Sequence, residues 1–243
     1  MDKLEKIKSH TWFYEFPLPD GTVTTSYLTP EVARIHTTRE KVLRRYLEAG
    51  DAHSRNTALD VSCHEGFFSL VLGEYFKTVT GIDKNEGSLA LAREMGSFLG
   101  RDHVSFRHCP VEDAPDSLKS DFVLCYGLVY HIENPMQVLR KLNALTGRTL
   151  CIETQILPFS ASCRIEDGYY MNQRDLLGLF GLCADYPTSK EGGVTEYALV
   201  PSQDALLRLL RDFGFKRIEI YQPEDGDYEQ FVRGSRIILF AEK

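Results

Sequence analysis

The 243-residue sequence lacks the features that mark several classes of protein. No stretch approaches the roughly 20 consecutive apolar residues of a membrane-spanning helix, and the charged N-terminus does not resemble a secretory signal. The six cysteines include no C-x-x-C pair, and the histidines include no i,i+4 pair, which argues against a metal site. We therefore predict a cytoplasmic protein without a metal, in which most cysteines are reduced core thiols.

Positive charge is also scarce, since 28 Lys and Arg residues stand against 35 Asp and Glu residues, for a net charge of −7. A protein whose main partner is a phosphate backbone needs a basic surface to displace counterions, so nucleic acid is disfavoured as the main partner. The composition is 43% hydrophobic and 26% charged, which excludes collagen-like, coiled-coil and wholly disordered chains. The length allows one α/β domain with an attachment, or two small domains.

Short apolar or β-branched runs alternate with helical patterns, which is typical of βαβ units in a mostly parallel sheet. The seven predicted strands are Thr57–Val61, Thr78–Ile82, Val104–Arg107, Phe122–Tyr126, Leu150–Thr154, Arg217–Tyr221 and Arg236–Ala241. The predicted helices between them are Phe67–Phe76, Gly87–Leu99, Pro135–Leu145 and Gln203–Phe213. The segment before the last strand has no helical period, so we predict an antiparallel last strand. The fold is therefore expected to be a Rossmann-like, doubly wound α/β sheet.

Two segments lie outside this alternation. Residues 1–50 form an N-terminal extension in which a Pro-Asp-Gly turn between aromatic flanks predicts a hairpin or a covering loop. A capping box at Thr37 and Glu40 predicts a helix that ends near Gly50. Residues 158–201 are too long for a βα loop, and their aromatic residues indicate a packed insertion with a short helix around Asn172–Phe180. Residues 51–157 and 202–243 then form the main domain.

The loop after the first strand contains neither G-x-G-x-x-G nor Gly-Lys-Ser/Thr, so it matches neither common phosphate-binding pattern. A loop at the carboxyl end of a parallel strand nevertheless lies where ligands bind. The carboxylate of Asp60, near the end of the strand, favours a ligand that carries positive charge or hydrogen-bond donors. The candidate residues here are Asp60, Ser62, Cys63, His64, Gly66 and Phe67.

This stretch resembles motif I of the class I S-adenosylmethionine-dependent methyltransferases, which reads roughly apolar-Asp-x-Gly-x-Gly-x-Gly. Ser62 and His64 stand where the family usually has glycines, and His64 there needs either a negative φ or the left-handed tolerance of histidine. The resemblance implies that S-adenosylmethionine is the cofactor. It also implies that Asp83, 23 positions after Asp60, binds the ribose hydroxyls, with Lys84 beside the adenine. The next turn resembles the family's adenine-contacting turn, which adds Val111, Glu112 and Asp113.

Residues 121–135 resemble motif IV of the same enzymes in the form G-x-x-Y-H-x-x-x-P, which occurs in many small-molecule methyltransferases and in the enzymes that modify the wobble uridine of transfer RNA. The resemblance implies that Tyr126, Gly127 and Leu128 contact the cofactor. His131 is the predicted general base because its unperturbed pKa lies near neutral pH, and Tyr130 shapes the pocket or hydrogen-bonds the acceptor. The alternative is that His131 caps the next helix or orients the cofactor.

The two extra segments are predicted to select the substrate, because the carboxyl edge of the sheet is otherwise open. Ordinary core packing explains their aromatic residues equally well. The candidate substrate-binding residues in these segments are Trp12, Tyr14, Tyr27, Arg164, Tyr169 and Tyr170. Glu153, at the end of the fifth predicted strand, is a further candidate because it is expected to point toward the pocket mouth.

These patterns predict methyl transfer to an oxygen, nitrogen or sulfur atom of a small molecule by in-line displacement. One alternative is an enzyme that modifies the wobble uridine of transfer RNA, against which the acidic balance counts. A second is a non-catalytic S-adenosylmethionine-binding module, prompted by Ser62 and His64 in place of glycines. The sequence is compatible with a homodimer and does not identify the acceptor.

Overall fold

A computed structural model describes residues 2–50, 55–161, 163–167, 172–185 and 196–243. Its helices are α1 (Lys3–Ser9), α2 (Pro30–Ala49), α3 (Phe67–Leu72), α4 (Glu86–Phe98), α5 (Pro135–Leu145), α6 (Gln203–Asp212) and α7 (Glu229–Val232). Its strands are β1 (Thr11–Trp12), β2 (Thr25–Ser26), β3 (Thr57–Val61), β4 (Thr78–Asp83), β5 (Val104–His108), β6 (Ser120–Tyr126), β7 (Thr146–Gln155), β8 (Cys163–Asp167), β9 (Asn172–Leu176), β10 (Phe180–Ala184), β11 (Tyr197–Pro201), β12 (Arg217–Ile220) and β13 (Arg236–Glu242).

The main sheet contains seven strands in the order β12-β13-β7-β6-β3-β4-β5. The strands from β3 to β7 pair in parallel, whereas β13 is antiparallel to both β7 and β12. The chain moves outward from β3 to β5 and then returns to the other side of β3 as β6. Ligands bind at such switch points in open α/β sheets. The predicted fold class and the antiparallel last strand are confirmed.

Two buried clusters cover the two faces of this sheet. Because side chains alternate along a strand, Phe122 and Leu124 of β6 join the cluster beneath α2 and α3, while Val123 and Cys125 join the cluster beneath α5 and α6. Both faces are therefore apolar, which explains why the central strands appear in the sequence as continuous hydrophobic runs.

The long N-terminal helix begins earlier than predicted. Pro30 occupies the first position of α2, after Thr29, because the fixed φ and missing N–H of proline suit a helix start. Thr37 and Glu40 lie inside the helix, so the predicted capping box is wrong. The Pro-Asp-Gly turn is present, and Gly21 N donates to Leu18 O at 3.0 Å.

The insertion forms strands instead of the short helix predicted around Asn172–Phe180. β9 pairs with β8 in an antiparallel hairpin, and β10 pairs with β11 in a second one. This pairing satisfies the backbone donors and acceptors of segments whose sequence alone resembled a helix. The second hairpin leads directly into α6, where the Ser202 side chain caps the helix by accepting a hydrogen bond from Ala205 N.

The cysteines are all free thiols, and Cys63, Cys109, Cys125 and Cys151 are buried. Within the described residues, no helix has both the length and the apolar character needed to cross a membrane.

Candidate active site

A cleft of about 710 Å³ opens at the carboxyl ends of β3, β4, β5 and β6, which is a volume typical of small-ligand sites. It lies at the switch point of the sheet, and the loops that follow these four strands line it. The structure brings nine of the predicted residues together here: Ser62, His64, Asp83, Lys84, Val111, Glu112, Gly127, Leu128 and His131.

The loop after β3 is built from residues in the left-handed region of backbone conformation. Ser62 has a φ of 63°, His64 has a φ of 50°, and Gly66 has a φ of 81°. Such a conformation costs a non-glycine residue about 1–2 kcal/mol. His64 thus adopts the left-handed conformation and not a negative φ. The positions at which the methyltransferase family usually has glycine are the positions that need a positive φ in this chain.

Asp83 ends β4, is only 6% exposed and lines the cleft. Its Oδ2 accepts a hydrogen bond from His64 N at 2.9 Å, and its Oδ1 accepts one from Asn85 N at 2.8 Å. A carboxylate offers about four acceptor positions. Asp83 therefore holds the first loop in place and has acceptor capacity for the two hydroxyls of a ribose, so it fits the nucleoside end of S-adenosylmethionine.

Asp60 and Cys63 lie beneath the loop, outside the cleft lining. Asp60 is buried and accepts from Ser69 Oγ at 2.6 Å, and burial raises the pKa of Asp60 to about 7. Burial also raises the pKa of the Cys63 thiol well above its ordinary value, so this cysteine is not a nucleophilic thiolate. The missing side chain of Gly66 lets the Phe106 ring pack closely against the loop, because a Cβ atom at position 66 would lie only 2.6 Å from that ring.

Three other predicted cofactor residues also lie outside the cleft lining. Phe67 is buried and stacks on Tyr14 with ring centroids 5.1 Å apart. Tyr126 is buried and packs edge-on against Phe68 at 5.0 Å. Asp113 follows Glu112 in the turn after β5 and is exposed to solvent. Phe67 and Tyr126 therefore belong to the aromatic core.

The motif IV segment, residues 127–133, closes one side of the cleft. Gly127 has a φ of 74°, and a Cβ atom there would lie 3.2 Å from Arg39 Nη2. His131 faces the cleft, its ring centroid lies 4.1 Å from that of Tyr130, and its Nδ1 lies 2.9 Å from Asp185 Oδ2. Burial lowers the pKa of His131, and Asp185 opposes part of that shift. The imidazole is therefore neutral at neutral pH, which is the state that accepts a proton.

A buried ion cluster lies behind Tyr130. The Glu153 carboxylate binds Arg236 Nη1 at 2.5 Å and also binds Arg39 Nη2. The Arg236 guanidinium lies 4.6 Å from the centroid of the Tyr130 ring. Burial opposes ionisation of Glu153, but the two guanidiniums hold its pKa below the ordinary value. Glu153 was expected at the pocket mouth, whereas the structure places its fully buried side chain between two arginines.

The N-terminal aromatic residues do not line the cleft. Trp12 is 1% exposed, and its Nε1 donates to Ile7 O at 3.0 Å, so it belongs to the core. Tyr14 is also buried, and Tyr27 is half-buried with its ring 5.7 Å from that of Phe13. Their density in the sequence reflects packing of the N-terminal extension against the main domain.

The insertion candidates lie largely beyond what the structure describes. Arg164 is in β8, but its side chain is outside the description, and Tyr169 and Tyr170 lie outside the described residues. No group of three or more His, Cys, Asp or Glu side chains able to hold a metal occurs in the described part of the chain.

Sequence reasoning missed four residues around the site. Glu65 Oε2 accepts from Phe13 N at 2.8 Å and so joins the first loop to the N-terminal extension; its position inside motif I was the available signal. Arg39, Arg236 and Asp185 come from elements distant in the sequence. No local pattern places them beside the motif IV segment.

Comparison with known proteins places these observations in a family. Residues 52–173, half of the chain, match the family model described as a methyltransferase domain. The tRNA U34 carboxymethyltransferase of Campylobacter jejuni subsp. jejuni serotype O:23/36 (strain 81-176) is 24% identical over 176 residues, which cover 72% of this chain and 54% of that protein. The ubiquinone biosynthesis O-methyltransferase of Bordetella avium (strain 197N) is 35% identical over 99 residues, which cover 40% of this chain and 40% of that protein. The chain thus spans about half or less of the length of these curated relatives.

Among solved structures, the N-terminal domain of EvdMO1 with SAH bound has a TM-score of 0.74 at 17% identity, covering 100% of this chain and 97% of that chain. At this identity the likeness shows the shared fold. The family model, by contrast, matches the half of the chain that carries both motif-bearing loops. The chain therefore belongs to the methyltransferase domain family, and within it to the class I S-adenosylmethionine-dependent methyltransferases.

Proposed function

We propose that this chain binds S-adenosylmethionine in the cleft and transfers its methyl group to an oxygen, nitrogen or sulfur atom of a small molecule. The observation that carries the proposal is the cleft itself, in which the loops after four neighbouring strands meet at the switch point of the sheet. Residues from both motifs line this one space. That arrangement supports a bound cofactor whose reactive end faces the motif IV segment.

The charge of the lining supports a cationic cofactor. Asp83, Glu86 and Glu112 line the cleft, together with Lys84, so carboxylates outnumber ammonium groups there. Such a lining attracts a sulfonium and an α-amino group and repels phosphates. When bound, S-adenosylmethionine supplies a methyl group on a positively charged sulfur. Asp83 would accept hydrogen bonds from the ribose hydroxyls, and Glu112 would accept a hydrogen bond from the exocyclic amine of the adenine.

The chain's own contribution to the chemistry is position and proton transfer. A displacement at a methyl carbon gains most from holding the nucleophile in line in a site that excludes water. His131 is neutral and faces the cleft, so it accepts the proton that an O–H, N–H or S–H acceptor must lose. The Tyr130 ring packs beside the His131 imidazole.

Calorimetric titration with S-adenosylmethionine tests the cofactor part of the proposal. We expect saturable one-site binding, and we expect Glu112→Gln to weaken it about 10-fold, because the amide oxygen that replaces the carboxylate is an uncharged and weaker acceptor. Asp113→Asn is the matched control, because this neighbouring acid lies outside the cleft lining and its variant should bind like the wild type. A folded wild-type protein that shows no binding would refute the proposed function.

The second candidate is modification of the wobble uridine in transfer RNA, favoured by the name of the Campylobacter jejuni relative. The net charge of −7 disfavours it. Binding of bulk transfer RNA, measured between low and moderate salt, separates the two. We expect weak binding with a shallow salt dependence, and a steep loss of affinity with salt would favour the transfer RNA enzyme.

A further inference from the structure

Asp185 lies beside the predicted base although the two residues are 54 positions apart. Its Oδ2 is 2.9 Å from His131 Nδ1, and the Asp185 and His131 side chains are 13% and 24% exposed. We propose that Asp185 is the positioning residue of His131, holding the proton on Nδ1 so that Nε2 takes a proton from the methyl acceptor. This inference rests on the proposed function.

The tautomer follows from the chemistry of the pair. An ionised carboxylate has only acceptor atoms, so the shared proton belongs to His131 Nδ1. The remaining ring nitrogen, Nε2, then carries the lone pair. In a His–Asp pair of this kind the acid fixes the ring orientation and stabilises the imidazolium, and it does not itself become protonated.

The fold fixes Asp185 in this position. Asp185 N donates to Glu196 O at 2.8 Å, which continues the antiparallel ladder of β10 and β11. Farther along β11, Leu199 N donates to Ile132 O at 3.0 Å, and Ile132 directly follows His131 in the chain. The hairpin of the insertion is thus hydrogen-bonded to the motif IV segment. The two segments therefore hold Asp185 and His131 in a fixed relative position.

The charges around His131 explain why the pair needs a carboxylate. Arg236 from β13 and Lys84 from the loop after β4 both disfavour the imidazolium, in addition to burial. Asp185 opposes them from the insertion, and the Tyr130 ring covers another side. Without Asp185 the pKa of His131 would fall further from the neutral range in which a general base works best.

The proton transfer involves the methyl acceptor, His131 and water, and it requires no other reactant. The acceptor's proton moves to His131 Nε2, and the electron pair of that bond stays on the acceptor atom, which becomes the nucleophile. The imidazolium, stabilised by the Asp185 carboxylate, afterwards releases its proton to water. The cycle ends with a neutral His131 and an unchanged Asp185.

Nitrogen-15 NMR of the histidine ring tests the inference on the full chain without an acceptor substrate. The signals of His131 are identified by their loss in His131→Gln. We expect the wild type at pH 8 to show the tautomer with the proton on Nδ1. In Asp185→Asn we expect the pKa of His131 to fall by about one pH unit and the Nδ1–H tautomer to lose its dominance. Glu196→Gln, which removes one exposed negative charge from the same hairpin, should change neither quantity.

A wild-type His131 protonated on Nε2 would overturn the inference, and this measurement does not depend on the folding of any Asp185 variant. An unchanged His131 pKa in Asp185→Asn would overturn it as well. Asp185→Glu retains a carboxylate and should retain the Nδ1–H tautomer. The Nδ1–H tautomer in a wild type that fails to bind S-adenosylmethionine would refute the proposed function while leaving the pairing itself established.

Discussion

Replacing Glu153 with glutamine should destabilise the protein strongly, because it removes the carboxylate that pairs with two buried guanidiniums. Glu153, Arg39 and Arg236 are 0%, 5% and 4% exposed. Arg39 Nε has no hydrogen-bond partner in the described part of the chain, while Arg236 Nε donates to the neutral Gln230 side chain at 2.9 Å. Removing one partner of a buried ion pair typically costs about 3–5 kcal/mol. We expect a loss in this range from a total stability on the order of 5–15 kcal/mol.

Equilibrium unfolding in urea at pH 7 measures this loss as a change in the free energy of unfolding. Glu219→Gln is the matched control, because the same chemical change occurs there in an exposed ion pair with Arg217, and it should cost less than about 1 kcal/mol. Replacing all three buried charges with apolar residues of similar volume should restore most of the lost stability. A loss below about 1 kcal/mol for Glu153→Gln, with an unchanged urea slope, would show that water reaches the two arginines.

Two further predictions use the same assay. Burial lowers the pKa of His36 well below its ordinary value, so below pH 6.5 the unfolded chain binds a proton that the native state does not. The wild-type free energy of unfolding should therefore fall by about 1.4 kcal/mol per pH unit below pH 6.5, relative to His36→Phe. Ser62→Gly should stabilise the protein by on the order of 0.5–1 kcal/mol, because the φ of 63° at Ser62 favours glycine.

Each of these two predictions has a matched control. His10 is exposed, so His10→Phe should keep the wild-type dependence of stability on pH. Parallel curves of the free energy of unfolding against pH for the wild type and His36→Phe would contradict the first prediction. Ser62→Ala removes the hydroxyl but keeps the backbone requirement, so it should not stabilise. Equal stabilisation by alanine and glycine would mean that the hydroxyl, and not φ, is unfavourable.

The main sheet was predictable because its signals are local. β6 is buried on both faces, so it forms one continuous apolar run. The start of α6 is fixed by the Ser202 side chain, and Gly214 with a φ of 97° allows the chain to leave the helix. The errors occurred where tertiary pairing outweighed local preference, as in the strand Asn172–Leu176 that replaced a predicted helix.

The cleft residues were predictable for a different reason. Loops after parallel strands converge on one edge of a sheet, so a residue such as Asp83 can be placed from its strand alone. Asp185 and Arg236 reach the site through an insertion and through the antiparallel last strand, and nothing in their local sequence marks that destination. Aromatic density misplaced Trp12 at the substrate, because burial in a core and contact with a ligand select the same side chains.

The first loop and the N-terminal extension depend on each other. Two of the loop's non-glycine residues, Ser62 and His64, have positive φ values, which cost on the order of 1–2 kcal/mol each. Two carboxylates offset this cost with charge-assisted hydrogen bonds: Asp83 accepts from His64 N, and Glu65 accepts from Phe13 N. The Phe13 ring also packs against the His64 ring at 4.9 Å. Because the extension contributes one of these bonds and this ring contact, it stabilises the cofactor loop from behind. A chain with glycines at these two positions would need that support less.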